Sequence, residues 1–355
     1  MKSFSFSGIK PVAYDLEPIL LMKINNKTKP LGSLGVLEEL ALKIGLIQGT
    51  ESPKVDQPKM LVFAGDNGVV KQGVSPFPQE VTSQMVFNFL SGGAAVSVFC
   101  QQHHVPLQVI DVGVNSQFKP MPLLTDRKVN MGTKDFTQSA AMTQKEFLSA
   151  LYAGAVEVDV AVEEGKNILL FGEMGIGNTT TSAALVSALT QTPIVDCVGA
   201  GAGATGEGIK RKISVIEKAF ARIESKRGLP IAELGADKIA EELAGFEIVA
   251  MAGAMLRSAE KGIVYVVDGF ICTAALLLAS KLNPLVVEYG VFAHQSHEKA
   301  HLELLSHFKA NPILSLSMRL GEGSGAIVAL PIIQSAIVFL NSMASFESAG
   351  VSEGL

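Results

Sequence analysis

The amino-acid sequence predicts an α/β protein built on a mainly parallel, doubly wound sheet. Short aliphatic runs recur at residues 60–64 (MLVFA), 107–112, 167–171, 194–198, 263–267, 285–289 and 313–317. Most of them run straight into a glycine or an acid, as strands do where they give way to turns. Segments with helical spacing lie between them, and this alternation is what parallel strands with crossover helices require. The composition agrees: apolar residues make up 48% and charged residues 18%. Strands buried on both faces read as continuous apolar runs, which raises the apolar share without a membrane.

The helical segments are 78–101, 145–164, 180–189, 206–224, 246–259, 270–281 and 296–308. The first carries Val81, Met85 and Phe89 at helical spacing and is interrupted at Gly92-Gly93. Two ends stand outside the pattern. Residues 11–23 and 34–43 read as helices around a TKPLGSLG loop, and 324–346 as one long apolar helix. They are expected to pack together, giving a small helical domain from 1–55 plus 324–355 and a large α/β domain from 56–323. The polar stretch 115–142 is long enough to be read as a functional loop.

Several function classes are excluded at this level. With 29 Lys and Arg against 34 Asp and Glu, the net charge of −5 provides no basic field for a nucleic-acid backbone. Segment 262–280 has Asp268 near its middle, a costly place for a carboxylate in a bilayer. Segment 326–340 is about 15 residues and contains Pro331, short of the ~20 a span needs. No membrane span is expected. Cys100, Cys197 and Cys272 are dispersed, which fits a reducing cytoplasm and argues against a disulfide framework.

Ligands of open parallel sheets bind beyond the carboxyl ends of the strands. The residues there include Gly65–Gly68, Asp111, the run 172–180, the glycines at 199–203, Asp268-Gly269 and 319–325. The run at 172–179 nearly matches a P-loop but has Asn178 where Lys is required. It suits either a monophosphate held by backbone N–H groups or a tight turn into a helix. Gly201–Gly206 is a literal GxGxxG, but no acid ends a strand about 20 residues on, which disfavours a dinucleotide. Lys210, Arg211 and Lys212 stand nearby as cations for a phosphate. His294, His297 and His301 share a helical spacing, but nothing completes a metal site. In LGEGSG, 320–325, a carboxylate between two glycines has little neighbouring bulk and can approach a substrate closely.

Taken in order, these motifs resemble one family. They are TKPLGSLG at 28–35, FAGDNGV at 63–69, GVSP at 73–76, EVTSQM at 80–85 and GEMGIGNTT at 172–180. They continue with the GxGxG turn at 199–203, RKISVIE at 211–217, DGFI at 268–271, HQSHE at 294–298 and RLGEGSG at 319–325. The set is similar to the nicotinate-nucleotide:dimethylbenzimidazole phosphoribosyltransferases over about 28–350. Asn67 departs from the family's usual His and cannot titrate near neutral pH.

The resemblance implies a Rossmann-like fold, a homodimer and no cofactor or metal. It implies transfer of the phosphoribosyl group of nicotinate mononucleotide to 5,6-dimethylbenzimidazole, with Glu322 as general base. Gly175, Gly201, Gly203, Lys212 and Ser296 would hold the phosphate, with Glu173 and Asp268 by the ribose. Phe77, Gln84 and Leu320 would line the base pocket. The alternatives are a nicotinamide-dependent oxidoreductase using 201–206, and a non-catalytic protein that binds benzimidazole or α-ribazole.

Overall fold

In the computed structural model, which describes residues 6–199, 201, 203 and 206–352, the strands form one sheet. Strand β1 (Pro58–Gly65) is buried along its whole length, as a central strand covered on both faces must be. Around it lie β2 (Leu107–Gly113), β3 (Leu124–Asp126), β4 (Ile168–Met174), β5 (Val264–Val267) and β6 (Gly290–Phe292). The order is β3-β2-β1-β4-β5-β6 and every pair is parallel. The chain therefore winds outward in both directions from β1 and β4, and the crevice at their carboxyl ends is the place for a ligand.

The helices are α1 (Glu17–Asn25), α2 (Val36–Gln48), α3 (Val81–Leu90), α4 (Ala95–Gln102), α5 (Gln144–Glu163) and α6 (Asn178–Thr190). They continue with α7 (Ile194–Cys197), α8 (Gly206–Arg227), α9 (Ala236–Leu243) and α10 (Phe246–Glu260). The last are α11 (Phe270–Leu282), α12 (Lys299–His307), α13 (Ser324–Ser342) and α14 (Phe346–Ala349). Side chains alternate across the strands, so neighbouring positions meet different helices. A side chain at Gly65 or Gly113 would run into Glu247 or Phe246 of α10. Gly172, paired with Val62, faces the turn that starts α13.

The termini meet. Lys27 Nζ donates to the Met343 carbonyl at 2.7 Å, Thr28 N to Ala344 O at 3.0 Å and Phe346 N to Asn26 O at 3.1 Å. Helix α13 has the length and apolarity of a membrane span, yet Ala326, Ile327, Leu330, Ile333 and Leu340 are buried in the protein and Pro331 lies inside it. The other such stretch, Val81–Gln102, is two helices separated around Gly92-Gly93.

Three of the expected strands differ. Residues 194–198 form the short helix α7 after Pro193, with Val195 56% exposed, so the run lacks the two-sided burial of a strand. Residues 285–289 lie in a 3₁₀ turn, Pro284–Tyr289, begun by Asn283 Oδ1 accepting from Leu285 N; the strand starts just after it. Residues 313–317 make only the isolated bridge of Leu314 to His294. Conversely, β3 lies inside the polar segment 115–142, where Lys128 pairs with Asp111 at 2.7 Å. Helix α9 carried no expectation.

Helices α5 and α10 touch backbone to backbone because both present glycine. A Cβ on Gly154 would stand 1.8 Å from the Ala250 carbonyl oxygen, and one on Gly253 2.1 Å from Leu151 O. Contacts that close force the helices apart. Gly154→Ala is expected to destabilise the protein by about 1–3 kcal/mol in urea unfolding; an unchanged midpoint would show that this helix pair is loosely held.

Candidate active site

The loops that leave the strands at their carboxyl ends enclose a cavity of about 580 Å³. Strand β4 supplies Glu173 and the turn after it Gly175 and Ile176, and the turn after β5 supplies Asp268 and Gly269. The segment after β6 supplies His294, Ser296 and Glu298, and the approach to α13 supplies Arg319–Glu322. Of the residues expected from sequence, Glu322, Glu173, Gly175, Gly201, Asp268, Ser296, Phe77 and Leu320 line this one space.

Glu322 sits on an unusual backbone. Gly321, Glu322 and Gly323 have φ of 81°, 64° and 83°, three left-handed residues in succession, and only the middle one has a side chain. A non-glycine residue there is strained and persists only where its surroundings hold it. Asp268 does the holding: Oδ2 accepts from Gly323 N at 3.1 Å and Oδ1 from Ala326 N at 2.9 Å. A carboxylate on the first amides of α13 also favours the helix dipole. Burial, and then the charge of Asp268, raise the Glu322 pKa to about 7.

Glu173 is buried beneath this turn. Its Oε1 faces Glu322 N at 3.5 Å, and its Oε2 accepts from the Asn178 amide. Asn178 thus stands at the P-loop lysine position but serves a carboxylate. Burial first, and then neighbouring Glu247 and Asp268, push the Glu173 pKa up to about 8.

Two cations meet at Gly201: Arg319 lines the cavity, whereas Lys212 lies outside its lining. Lys212 on α8 is buried, and its Nζ donates to Gly199 O at 3.3 Å and lies 3.5 Å from Thr179 Oγ1. Burial lowers its pKa, opposed by Glu298. Arg319 Nη1 donates to Gly201 O at 3.4 Å, so Lys212 and Arg319 bracket Gly201. Gly203 is described but exposed and outside the cavity lining; residues 200, 202, 204 and 205 of that turn lie outside the described residues.

An apolar wall is formed by Phe77, Val81, Met85, Ile176 and Leu320. Gln84 is exposed on α3 and does not line the cavity. Arg319, Val81 and Met85 were not singled out as site residues from sequence. Arg319 stands inside the RLGEGSG motif, and the i, i+4 spacing of Val81 and Met85 puts both on one face of α3. The histidines are not one helical stripe, because α12 begins at Lys299, after His294 and His297.

A phosphoribosyltransferase family model matches residues 9–351. Nicotinate-nucleotide–dimethylbenzimidazole phosphoribosyltransferases from Janthinobacterium sp. (strain Marseille) and Dechloromonas aromatica (strain RCB) are 47% and 48% identical to the chain. They align over 94% and 95% of it, and over 95% and 96% of their own lengths. The chain belongs to the nicotinate-nucleotide–dimethylbenzimidazole phosphoribosyltransferase family. A crystal structure of CobT from Thermus thermophilus superposes with a TM-score of 0.91 at 40% identity, covering 96% of this chain and 100% of that one.

Behind the site of this family member lies a buried contact that sequence reasoning did not find. Asn67 Nδ2 donates to Glu247 Oε1 at 2.8 Å, and Asn67 Oδ1 accepts from Thr181 Oγ1 at 2.8 Å. A Cβ on Gly175 would meet Gly65 O at 2.3 Å and Asn67 Nδ2 at 3.0 Å, so this cluster packs directly behind the glycine loop. The only signal was an acid at the start of an otherwise apolar helix. Burial raises the Glu247 pKa from 4.5 to about 8.

A folded-state pKa above the unfolded one means that the native protein binds this proton more tightly. The resulting stability is complete below about 4.5 and is lost as pH rises through about 8. Glu247→Gln keeps the acceptor for Asn67 and abolishes the titration. Its melting temperature relative to the parent is expected to rise between pH 5 and pH 9; a pH-independent difference would refute the assignment.

Proposed function

We propose that the chain transfers the 5-phosphoribosyl group of nicotinate mononucleotide to 5,6-dimethylbenzimidazole, giving α-ribazole 5′-phosphate and nicotinate. The observation that carries this reading is the cavity's polarity. Glu173, Asp268 and Glu322 cluster at the 321–323 turn, while Arg319 in the lining and Lys212 behind it meet at Gly201, with Glu298 beside Lys212 and apolar residues lining the rest. Nicotinate mononucleotide has a phosphate at one end and a cationic ring bonded to C1′ at the other, so it matches that polarity.

In this reading Lys212, Ser296, Gly175 and Gly201 hold the phosphate, and Arg319 joins them. Gly203 belongs to the same turn. Phe77, Val81, Met85 and Leu320 take the flat benzimidazole, with Gln84 at the rim on α3. The bond from C1′ to the nicotinate nitrogen breaks, and its electron pair leaves with nicotinate, neutralising the ring. No acid is needed to expel such a leaving group. Positive charge develops at C1′ during the transfer, and Glu173 and Asp268 stabilise it electrostatically.

One benzimidazole nitrogen bonds to C1′ from the face opposite the leaving group, which turns a β-nucleotide into an α-riboside. The N–H proton of the other nitrogen passes to Glu322, which later releases it to water. A base with a pKa near the working pH is well suited to this task. In the same reading, 1–55 with 324–355 make a small helical unit and 56–323 the catalytic unit; residues 1–5 and 353–355 lie outside the described residues. The enzyme works as a cytoplasmic homodimer.

Incubation with nicotinate mononucleotide and dimethylbenzimidazole is expected to yield α-ribazole phosphate and free nicotinate; failure to form either would refute the reading. Glu322→Gln is expected to lower kcat by about 10²–10⁴ while nucleotide binding persists. The general base must be deprotonated, so kcat/KM of the parent should climb with pH and level off above about 7. An unchanged kcat in the variant would remove Glu322 from the role. Lys212→Ala deletes a charged hydrogen-bond donor and should raise the nucleotide KM by roughly tenfold or more. A change confined to the benzimidazole KM would contradict its placement.

A further inference from the structure

Two strand-end loops form one wall of the cavity: 268–270 after β5 and 294–298 after β6. Besides the 3.6 Å approach of His294 Nε2 to Asp268 Oδ1, the buried side chain of His301 joins them. His301, in the first turn of α12, is 1% exposed, and its Nδ1 accepts from the Ser296 backbone N–H at 2.9 Å. Its Nε2 lies 3.0 Å from Thr273 Oγ1, and that hydroxyl donates to Gly269 O at 2.8 Å.

The sense of this chain follows from its ends. A backbone N–H can only donate, so Nδ1 carries no proton and the ring hydrogen is on Nε2. Nε2–H then donates to Thr273, whose own proton goes to the Gly269 carbonyl. Each group is used once, and only neutral imidazole fits. Burial and then neighbouring His294 lower the His301 pKa to about 4, against a weaker opposing pull from Asp268. Ser296 itself lines the cavity, and its hydroxyl receives one long contact, 3.4 Å from Glu298 N.

We propose that His301 is a positioning residue for the nucleotide phosphate: it fixes the backbone at Ser296 and ties that loop to the start of α11, presenting the Ser296 hydroxyl to the ligand. The inference rests on the reading of Ser296 as a phosphate ligand. His301 does not touch the substrate. It acts as a neutral acceptor towards one loop and a donor towards the other, which neither a lysine nor an aliphatic side chain can do.

Amide substitutions separate the two halves of that role. In His301→Asn the Oδ1 falls close to the position of Nδ1 and still accepts from Ser296 N. In His301→Gln the amide reaches the position of Nε2 and serves Thr273 alone. With nicotinate mononucleotide as the varied substrate, KM is expected to rise about tenfold in His301→Ala and His301→Gln, the worth of one buried hydrogen bond. It should stay near the parental value in His301→Asn, with kcat within about threefold throughout. Thermal melts of the two amide variants control for a merely structural effect. Because His301 acts through Ser296, Ser296→Ala/His301→Ala should be no worse than Ser296→Ala alone.

Equal losses in the Asn and Gln variants, additive losses in the double variant, or a fall in kcat at constant KM would each overturn the proposal. If Ser296→Ala raises KM and His301→Ala does not, the proposal fails while the phosphate reading stands. If Ser296→Ala leaves KM unchanged, Ser296 is not a phosphate ligand, and the role given to His301 falls with it.

Discussion

The site depends on one packing constraint, the seating of the Gly321–Glu322–Gly323 turn on strand β4. A Cβ on Gly172 would lie 2.4 Å from the Glu322 carbonyl oxygen, so that strand position must be bare. Gly323 comes within 3.2 Å of the Gly172 Cα at its own Cβ position, and Met60 fills the space beside it. With the turn pressed onto the strand, Glu322 has no room to relax to a negative φ. The two amides it exposes are then taken by Asp268, and the strained residue is locked in the cavity wall. Burial follows from the same seating, and burial is the larger cause of the raised Glu322 pKa.

That constraint sets the charge distribution. Glu173, Glu247, Asp268 and Glu322 all come to the carboxyl ends of β4 and β5 or the helices beside them, and all are buried. Burying so many acids together costs free energy, visible in the shared upward pKa shifts of Glu173, Glu247 and Glu322. In the proposed reading the protein bears that cost where a cationic group is to be received. Among the described residues Lys212 and Arg319 meet at Gly201 and form no ion pair with Glu173, Asp268 or Glu322, although Glu298 lies near Lys212. Had either cation been paired with Glu322, its carboxyl would have been pinned in its ionised form with a lowered proton affinity, unfit for the base role proposed above.

Much of the fold and part of the site were legible in the sequence, for identifiable reasons. Runs such as 60–64 and 167–171 are buried on both faces, so their apolar character reports directly on strand position. The run 194–198 has the same character but a different cause, since an apolar stretch of that length is equally a turn of helix against a neighbour. The acid between two glycines at 321–323 was legible because glycines on both sides of a carboxylate signal backbone demands. The role of Asp268 as the anchor of that turn was not, because its partners, Gly323 and Ala326, lie far along the chain. The Asn67–Glu247–Thr181 contact was invisible for the same reason: it joins the loop after β1 to α10 and α6, and no local pattern encodes it.

The glycines connect these observations. Gly172 and Gly323 let a loop lie on a strand, Gly175 lets another loop lie on Asn67, and Gly325 leaves the space that the His294 ring occupies. At Gly172 and Gly323 the missing side chain is replaced by backbone, and the turn seated there carries the N–H groups that face Asp268 and Glu173. A chain with this many buried carboxylates and few cations near them needs fixed amide donors to hold the acids in place. Close approach of bare backbone supplies those donors, and it does so without introducing a counter-charge that would compete with a cationic substrate.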